Sequence, residues 1–480
     1  MARHAPFFAA ALLAALSLST LRPGEAGATG MQGHVYMAQC AAENITDARL
    51  RAIFDAFPKH VANGAFLVDS GYIMPDHDQG EIPHWEAFIE AYLQLIRERY
   101  EAPYDSPEAA AHVSLLMGMA AHGITDSTFD TLIYARAEQV EPEPMDSFDT
   151  AMDIFLVHDM PRYFIPEIVA DPQTLSDAFT AVEHPISPED VSTAMSTARS
   201  GIAAVTTLLE AGADEYGLKY PWGRAHFLDA KTPGSYSFGA GVVMGYYREL
   251  LRRLDGDTSA DQIVIGTYPS DAYPLVTLDA TRPDGKVILF FGHGLDRGSI
   301  NDDVVTVLGP DGMAVPATVE VFRGDEWANV LLVKPEQSWQ AGAKYEVVLS
   351  PTVQTLYGTS PTDDFVFSFT TCASPDENGD CPPAPDPGPF VACPKTEAQY
   401  AMPRGEGGGG SGGGGGAGGA GGGGAAGAGA AGGAGGGQGS GDTEGGGCEC
   451  GLSTRDGEVP GALALLGFGA AALRRRRRRP

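Results

Sequence analysis

The sequence predicts a multi-domain α + β chain, an all-α domain followed by an all-β sandwich. Three observations carry this. Apolar residues recur at helical spacing through about the first 255 residues. No strand–helix alternation there suggests a parallel sheet. Beyond Asp255-Gly256-Asp257, short β-rich runs follow one another for about 110 residues.

The helical elements read in order. Residues 34–57 form a first helix, with Leu50, Ile53, Phe54 and Phe57 on one stripe. The stretch Asn63–Gly71 holds an apolar run that ends on Asp69. A polar loop, Pro75 to Pro83, leads to His84, where a helix opens with Trp85, Phe88, Ile89, Tyr92, Leu93 and Ile96 buried. Ser106 and Pro107 start the next helix as hydroxyl cap and preset first residue. Its apolar run, Ala110–Ala121, leads into His122, Asp126 and Asp130, one face at four-residue steps if the helix continues. Each step rises about 6 Å, so Asp126 lies between the other two and suits a bridge between two ions. A buried helix carries such a row at high cost unless a cation neutralises it. Phe148–Val157 is helical, with Asp149 and Asp153 one turn apart. Further helices are expected near 165–180, 187–212 and 239–254.

Seven strands are expected at 275–278, 286–291, 303–307, 318–322, 329–333, 345–349 and 365–369, with turns such as Pro310-Asp311-Gly312 between them. Their rhythm, and "AGAKYEVVLSPTVQTLYG…FVFSFTT" above all, resembles bacterial Ig-like domains, placed at 262–372. Cys372 and Cys381 flank a short polar loop and suit a disulfide in an exported protein; Cys393 competes for it.

Both ends look like targeting segments. Met1–Ala28 has basic residues, an apolar core and Ala26-Gly27-Ala28, the pattern of a secretory signal peptide, so Thr29 would begin the mature chain. Residues 373–404 form a Cys/Pro-rich linker. The Gly/Ala/Ser tract 405–447 cannot bury a core and reads as a flexible tether. Its formal G-x-S-x-G match is composition, with no strand before it or helix after it. Cys448 and Cys450, the apolar run 459–473 and the arginines 474–479 complete a tail (448–480). It resembles the C-terminal sorting tails of myxobacterial exported proteins. That implies cleavage by a sorting protease; the other reading is a permanent transmembrane helix. Both place the helical domain at the cell surface, in the outer membrane or outside the cell.

The net charge of -31 repels phosphate backbones and excludes general nucleic-acid binding. His60, His112 and His158 have no ligand-like setting and read as structural.

Residues 29–257 resemble the zinc-dependent phospholipase C/D family, closest to a glycosylphosphatidylinositol-specific phospholipase D catalytic domain. The stretches that carry this are "GHVYMAQCA", "NGAFLVDSGY", "IPHWEAFIEAYLQLIRERY", "LLMGMAAHGITDSTFD" and "RYFIPEI". The resemblance implies a cluster of two or three Zn²⁺ ions in a helical bundle. Its ligands would be Thr29 through the main chain, His34, Asp69, His84, His122 and Asp126. Where the family carries a histidine this chain has Asp130, and for the family's following His-x3-acid pair it offers Asp149 and Asp153, or Met145 and Asp149. That carboxylate-only position suits a harder cation such as Mg²⁺, Mn²⁺ or Ca²⁺ as well as zinc. The implied activity is hydrolysis of a phosphodiester in phospholipids or phosphoinositol-type anchors. Asp69 would orient or deprotonate the water, and the bond cleaved, C-type or D-type, stays open. The competing reading is a degenerate, non-catalytic surface protein that binds or adheres through its Ig-like module.

Overall fold

The protein is described from a computed structural model covering residues 30–159, 165–209, 212–322, 328–382 and 393. Thr29, the expected signal peptide, most of the expected linker, and the expected tether and tail lie outside the described residues.

Among the described residues, the helices of nine residues or more are α1 (Met31–Asn44), α2 (Ala48–Ala56), α3 (Pro58–Leu67), α4 (Glu86–Arg99), α5 (Pro107–Thr128), α6 (Phe148–Asp159), α7 (Pro172–Ala181), α8 (Pro188–Leu209) and α9 (Tyr236–Leu254). The single helix expected over 34–57 is two. Asp47 ends any continuity because its carboxylate accepts from the backbone N–H groups of Arg49 and Leu50 and caps a new helix. Ser106 caps α5 as its sequence predicts, accepting from the Ala109 N–H at 3.3 Å, with Pro107 at the first turn.

α3 and α5 form the most intimate helix pair, and glycine is the reason. A Cβ on Gly64 would lie 2.3 Å from the Leu115 carbonyl oxygen, and one on Gly118 would lie 2.2 Å from that of Val61. The backbones therefore touch, which is possible only without side chains at those two positions. This closeness delivers the end of α3 to the middle of α5. A 3₁₀ turn, Val68–Ile73, follows α3 directly and carries Asp69.

The sandwich has a four-stranded sheet, order β1-β2-β5-β4, facing a three-stranded sheet, β3-β6-β7, with every pairing antiparallel. The strands are β1 (Val264–Tyr268), β2 (Val287–Leu295), β3 (Val305–Leu308), β4 (Ala317–Val321), β5 (Ala328–Pro335), β6 (Lys344–Leu349) and β7 (Phe365–Thr370). Six match expected strands. The exchange is at the start: Val264–Tyr268 pairs with β2, whereas 275–278 makes only one isolated bridge, Thr277 to Asp380. The latter segment is held instead by the loop near the Cys372–Cys381 disulfide, where the Leu278 N–H donates to Gly379 and the Cys381 N–H to Val276.

The two regions share a core. α9 lies against β1 and β2, with Phe238 ringed by Tyr268, Tyr273 and Phe290. Gly245 admits the Ile265 carbonyl, and Gly292 admits the stem of Glu249. A second disulfide, Cys40–Cys393, joins α1 to the segment beyond the sandwich across 353 residues. Cys393 therefore does not compete for Cys372 or Cys381. Among the described residues no helix is long and apolar enough to cross a membrane; the apolar run 459–473 lies outside them.

Candidate metal centre

Five side chains converge from four elements. His34 projects from α1, Asp69 from the 3₁₀ turn after α3, His84 from the turn before α4, and His122 and Asp126 from α5. His34 and His122 are fully buried and Asp126 is 6% exposed. The His34 Nε2 atom lies 3.2 Å from Asp126 Oδ1. His84 and His122 each place Nε2 3.3 Å from the same Asp69 oxygen. Both also approach Asp126 Oδ2, at 3.7 and 3.8 Å.

These distances suit a shared cation. The edge of a tetrahedron with ligand bonds near 2.05 Å is ~3.3 Å. The buried His34 and His122 Nε2 atoms make no hydrogen bond of good geometry to any described atom, although carboxylate oxygens stand beside them. Three neutral imidazoles and two carboxylates carry a net charge of minus two, the complement of one divalent ion.

The far side of each ring settles the tautomer. His122 Nδ1 donates to the Ala65 carbonyl at 2.7 Å, and His84 Nδ1 to the Gly80 carbonyl at 2.8 Å. His34 Nδ1 meets Thr125 Oγ1 at 2.7 Å. The Thr125 hydroxyl proton is already given to the His122 carbonyl, so this oxygen accepts from His34. In their neutral form all three rings would carry their proton on Nδ1 and offer Nε2, the arrangement that orients metal-binding histidines.

Without a cation the charges settle among themselves. Burial lowers the proton affinity of His84, but Asp69 and Asp126 outweigh it and raise its pKa to about 9. Burial opposes ionisation of Asp69, yet His122 and His84 hold it well below the usual carboxylate range. His122 itself is pushed down by burial and by His34. A cation held here would have to displace protons.

The remaining candidates stand apart. Asp130 is buried at 3% but does not join the cluster of ligand atoms. From Phe129 to Tyr134 the helix loosens into a π segment, so the four-residue stripe does not continue past Asp126. A row of hydroxyls explains the loosening: Thr125, Ser127, Thr128 and Thr131 each donate to a carbonyl three or four residues back. Such bonds compete with the main-chain ladder, and the Phe129 N–H is shared between Asp126 and Thr125.

Asp153 does different work from that expected. Its carboxylate accepts from the N–H groups of Gln32 and Gly33, at 3.2 and 3.0 Å, and so caps α1 from another helix. No side chain at Gly30 could do so, because a Cβ there would lie 2.3 Å from the Asp153 carboxyl. Burial raises the Asp153 carboxyl to about 7, against the pull of those two N–H groups. Burial also raises Asp149, and Asp69 adds to it. Thr29 falls outside the described residues. Thr125 and the glycine pair were not anticipated. A threonine three residues after a candidate ligand histidine was the available sign.

Residues 257–371 match the family model of a bacterial Ig-like domain. No curated protein matches the chain. Among solved structures, it is similar to domains 1-6 of the surface layer protein SbsC at 10% identity and a TM-score of 0.19, covering 67% of this chain and 46% of that one. The N-terminal part of the same bacterial S-layer protein gives 12% identity and a TM-score of 0.19, over 66% and 78%. The chain spans less than half the length of the first of these, and at such scores neither likeness bears on fold or function.

Proposed function

We propose that the helical domain is a metal-dependent phosphodiesterase. It would be exported, act at or beyond the cell surface, and take phospholipids or phosphoinositol-type anchors as substrates. The observation that carries this is the convergence of three imidazoles, each anchored through Nδ1, on the buried Asp126 and the partly buried Asp69. Zinc bound there would supply positive charge to the phosphoryl oxygens and acidity to a water molecule.

The chain's own residues would do the rest. His34, His84 and His122 present fixed lone pairs. Asp126, between all three, suits a shared ligand. Asp69 is the most open of the five, at 18% side-chain exposure, and stays ionised, so it can accept a proton from an attacking water. The phospholipase C/D resemblance supports the same reading of these five residues. Asp130, Asp149 and Asp153 are not needed for it, and an active site of one or two ions is preferred over three.

The test is direct. Protein beginning at Thr29 and extending through Cys393 is analysed for bound metal and assayed on a chromogenic phosphodiester, phosphatidylcholine and phosphatidylinositol. One to two zincs and chelator-sensitive hydrolysis are expected. Absence of both would leave the alternative, a non-catalytic surface protein that binds through its Ig-like module. The separation of Asp130 and Asp153 from the cluster is the observation that favours that alternative.

A further inference from the structure

The Ig-like module is not appended to the helical domain but reaches its candidate metal centre. Glu86, the first residue of α4, lies two residues beyond His84 and is 8% exposed. Its carboxylate receives Arg253 at 2.7 Å and the Tyr246 hydroxyl at 3.2 Å, both from α9. Arg253 is 4% exposed, and it also bonds Glu90 and donates to the Gly292 carbonyl of strand β2 at 3.2 Å. His293, the next residue of that strand, donates to Glu249 at 2.8 Å and turns Nδ1 toward Glu86, 4.0 Å away. Gly294 follows, with the Glu86 Cβ 3.6 Å from where its own would be.

This network is costly. Buried ions need close partners and complete hydrogen bonding, and apolar residues of similar volume would stabilise an interface as well. Its place offers a reason for it. A crevice between the modules runs from His293 and Asn329 of the sandwich to His84 itself. The His84 carbonyl is pressed against Gly123, where a Cβ would lie 2.5 Å away, one residue past His122. Ser127, one residue past Asp126, bonds Asn329 of β5 at 3.4 Å. The sandwich thus touches the segments that carry three of the five ligands.

We propose that the Ig-like module is a working part of the metal centre, with Arg253 and His293 as positioning residues that act through Glu86 to hold His84 in register. The inference rests on the metal-centre reading above. Groups bonded directly to a ligand, as the Gly80 carbonyl is to His84, are worth about 10–100-fold in metal affinity, and Glu86 acts one step further out through the two-residue link to His84, with a smaller effect.

The experiment uses the full chain and reads zinc affinity by chelator competition, with the visible spectrum of the cobalt-substituted protein as a reporter of ligand geometry. Glu86→Gln and His293→Ala should each raise the zinc dissociation constant severalfold, below the roughly 10–100-fold of a direct ligand partner, and shift the cobalt bands. His293→Gln keeps a donor for Glu249 and should restore both. Leu331→Ala, in the fully buried core of β5, is the stability control and should leave both unchanged. Unaltered affinity and spectrum in folded Glu86→Gln, or an equal loss in Leu331→Ala, would overturn the inference while leaving the metal centre standing. A wild-type chain that binds neither ion would remove the metal centre, and the inference with it.

Discussion

His34 and His122 stack face to face, ring centroids 3.5 Å apart and planes within 20°. Two buried imidazoles at that distance cannot both be cations, and His34 accordingly lowers the proton affinity of His122. The pair is stable when both rings are neutral with Nε2 directed at a positive charge. Thr125 enforces this for His34. Replacing it with valine keeps the shape but removes the acceptor, and zinc affinity measured by chelator competition should fall about 10–100-fold. Thr125→Ser should retain most of it. Equal affinity in all three proteins would show that the tautomer is set elsewhere.

Gly118 governs how near α5 comes to α3. Alanine there must displace the Val61 carbonyl, which a Cβ would approach to 2.2 Å. One turn further on, His122 depends on the same spacing to reach Ala65. Gly118→Ala should therefore cost about 1–3 kcal/mol or more in chemical denaturation and also reduce bound metal. A stable, fully metallated variant would mean the helices separate freely.

Asp153 should make the metal-free protein sensitive to pH. Its folded-state value, about 7, lies above the ordinary 3.8, so the fold holds a proton that the unfolded chain releases. Stability from this group is therefore greatest below pH 4 and declines as pH rises toward 7, by on the order of 3 kcal/mol. Asp153→Asn removes the titration while keeping an acceptor for α1. The melting temperature of the variant, relative to wild type, should rise between pH 5 and pH 8. A constant difference would refute this assignment.

The Cys40–Cys393 bridge closes most of the folded chain into one loop. Constraining so long a loop restricts the unfolded state, and Cys393→Ser should destabilise the protein by roughly 2–5 kcal/mol. Cys381→Ser opens a loop of nine-residue separation and should cost less. Thermal unfolding under non-reducing conditions ranks the two, and the reverse order would contradict the loop-length argument.

Local chemistry was legible in the residues alone. Ser106 and Pro107 announce α5, alternating runs announce six of the seven strands, and His122 with Asp126 share a face because both lie in one regular turn. The composition of the candidate site was only partly legible. His34, Asp69 and His84 are far apart in sequence and were assigned through resemblance; only the backbone contact of Gly64 with Gly118 and the packing of α1 bring them together. Asp130 and Asp153 have the right chemistry in the right helices. Asp130 lies inside a π segment flanked by competing hydroxyls, and Asp153 is engaged by the N-terminus of α1. Periodicity presumes a regular helix and says nothing of which helix end a carboxylate will face. The same limit hid the Cys40–Cys393 bridge and the shared core of α9 with β1 and β2. Spacing along a chain determines what one element can present, whereas contacts between elements decide which of those groups meet.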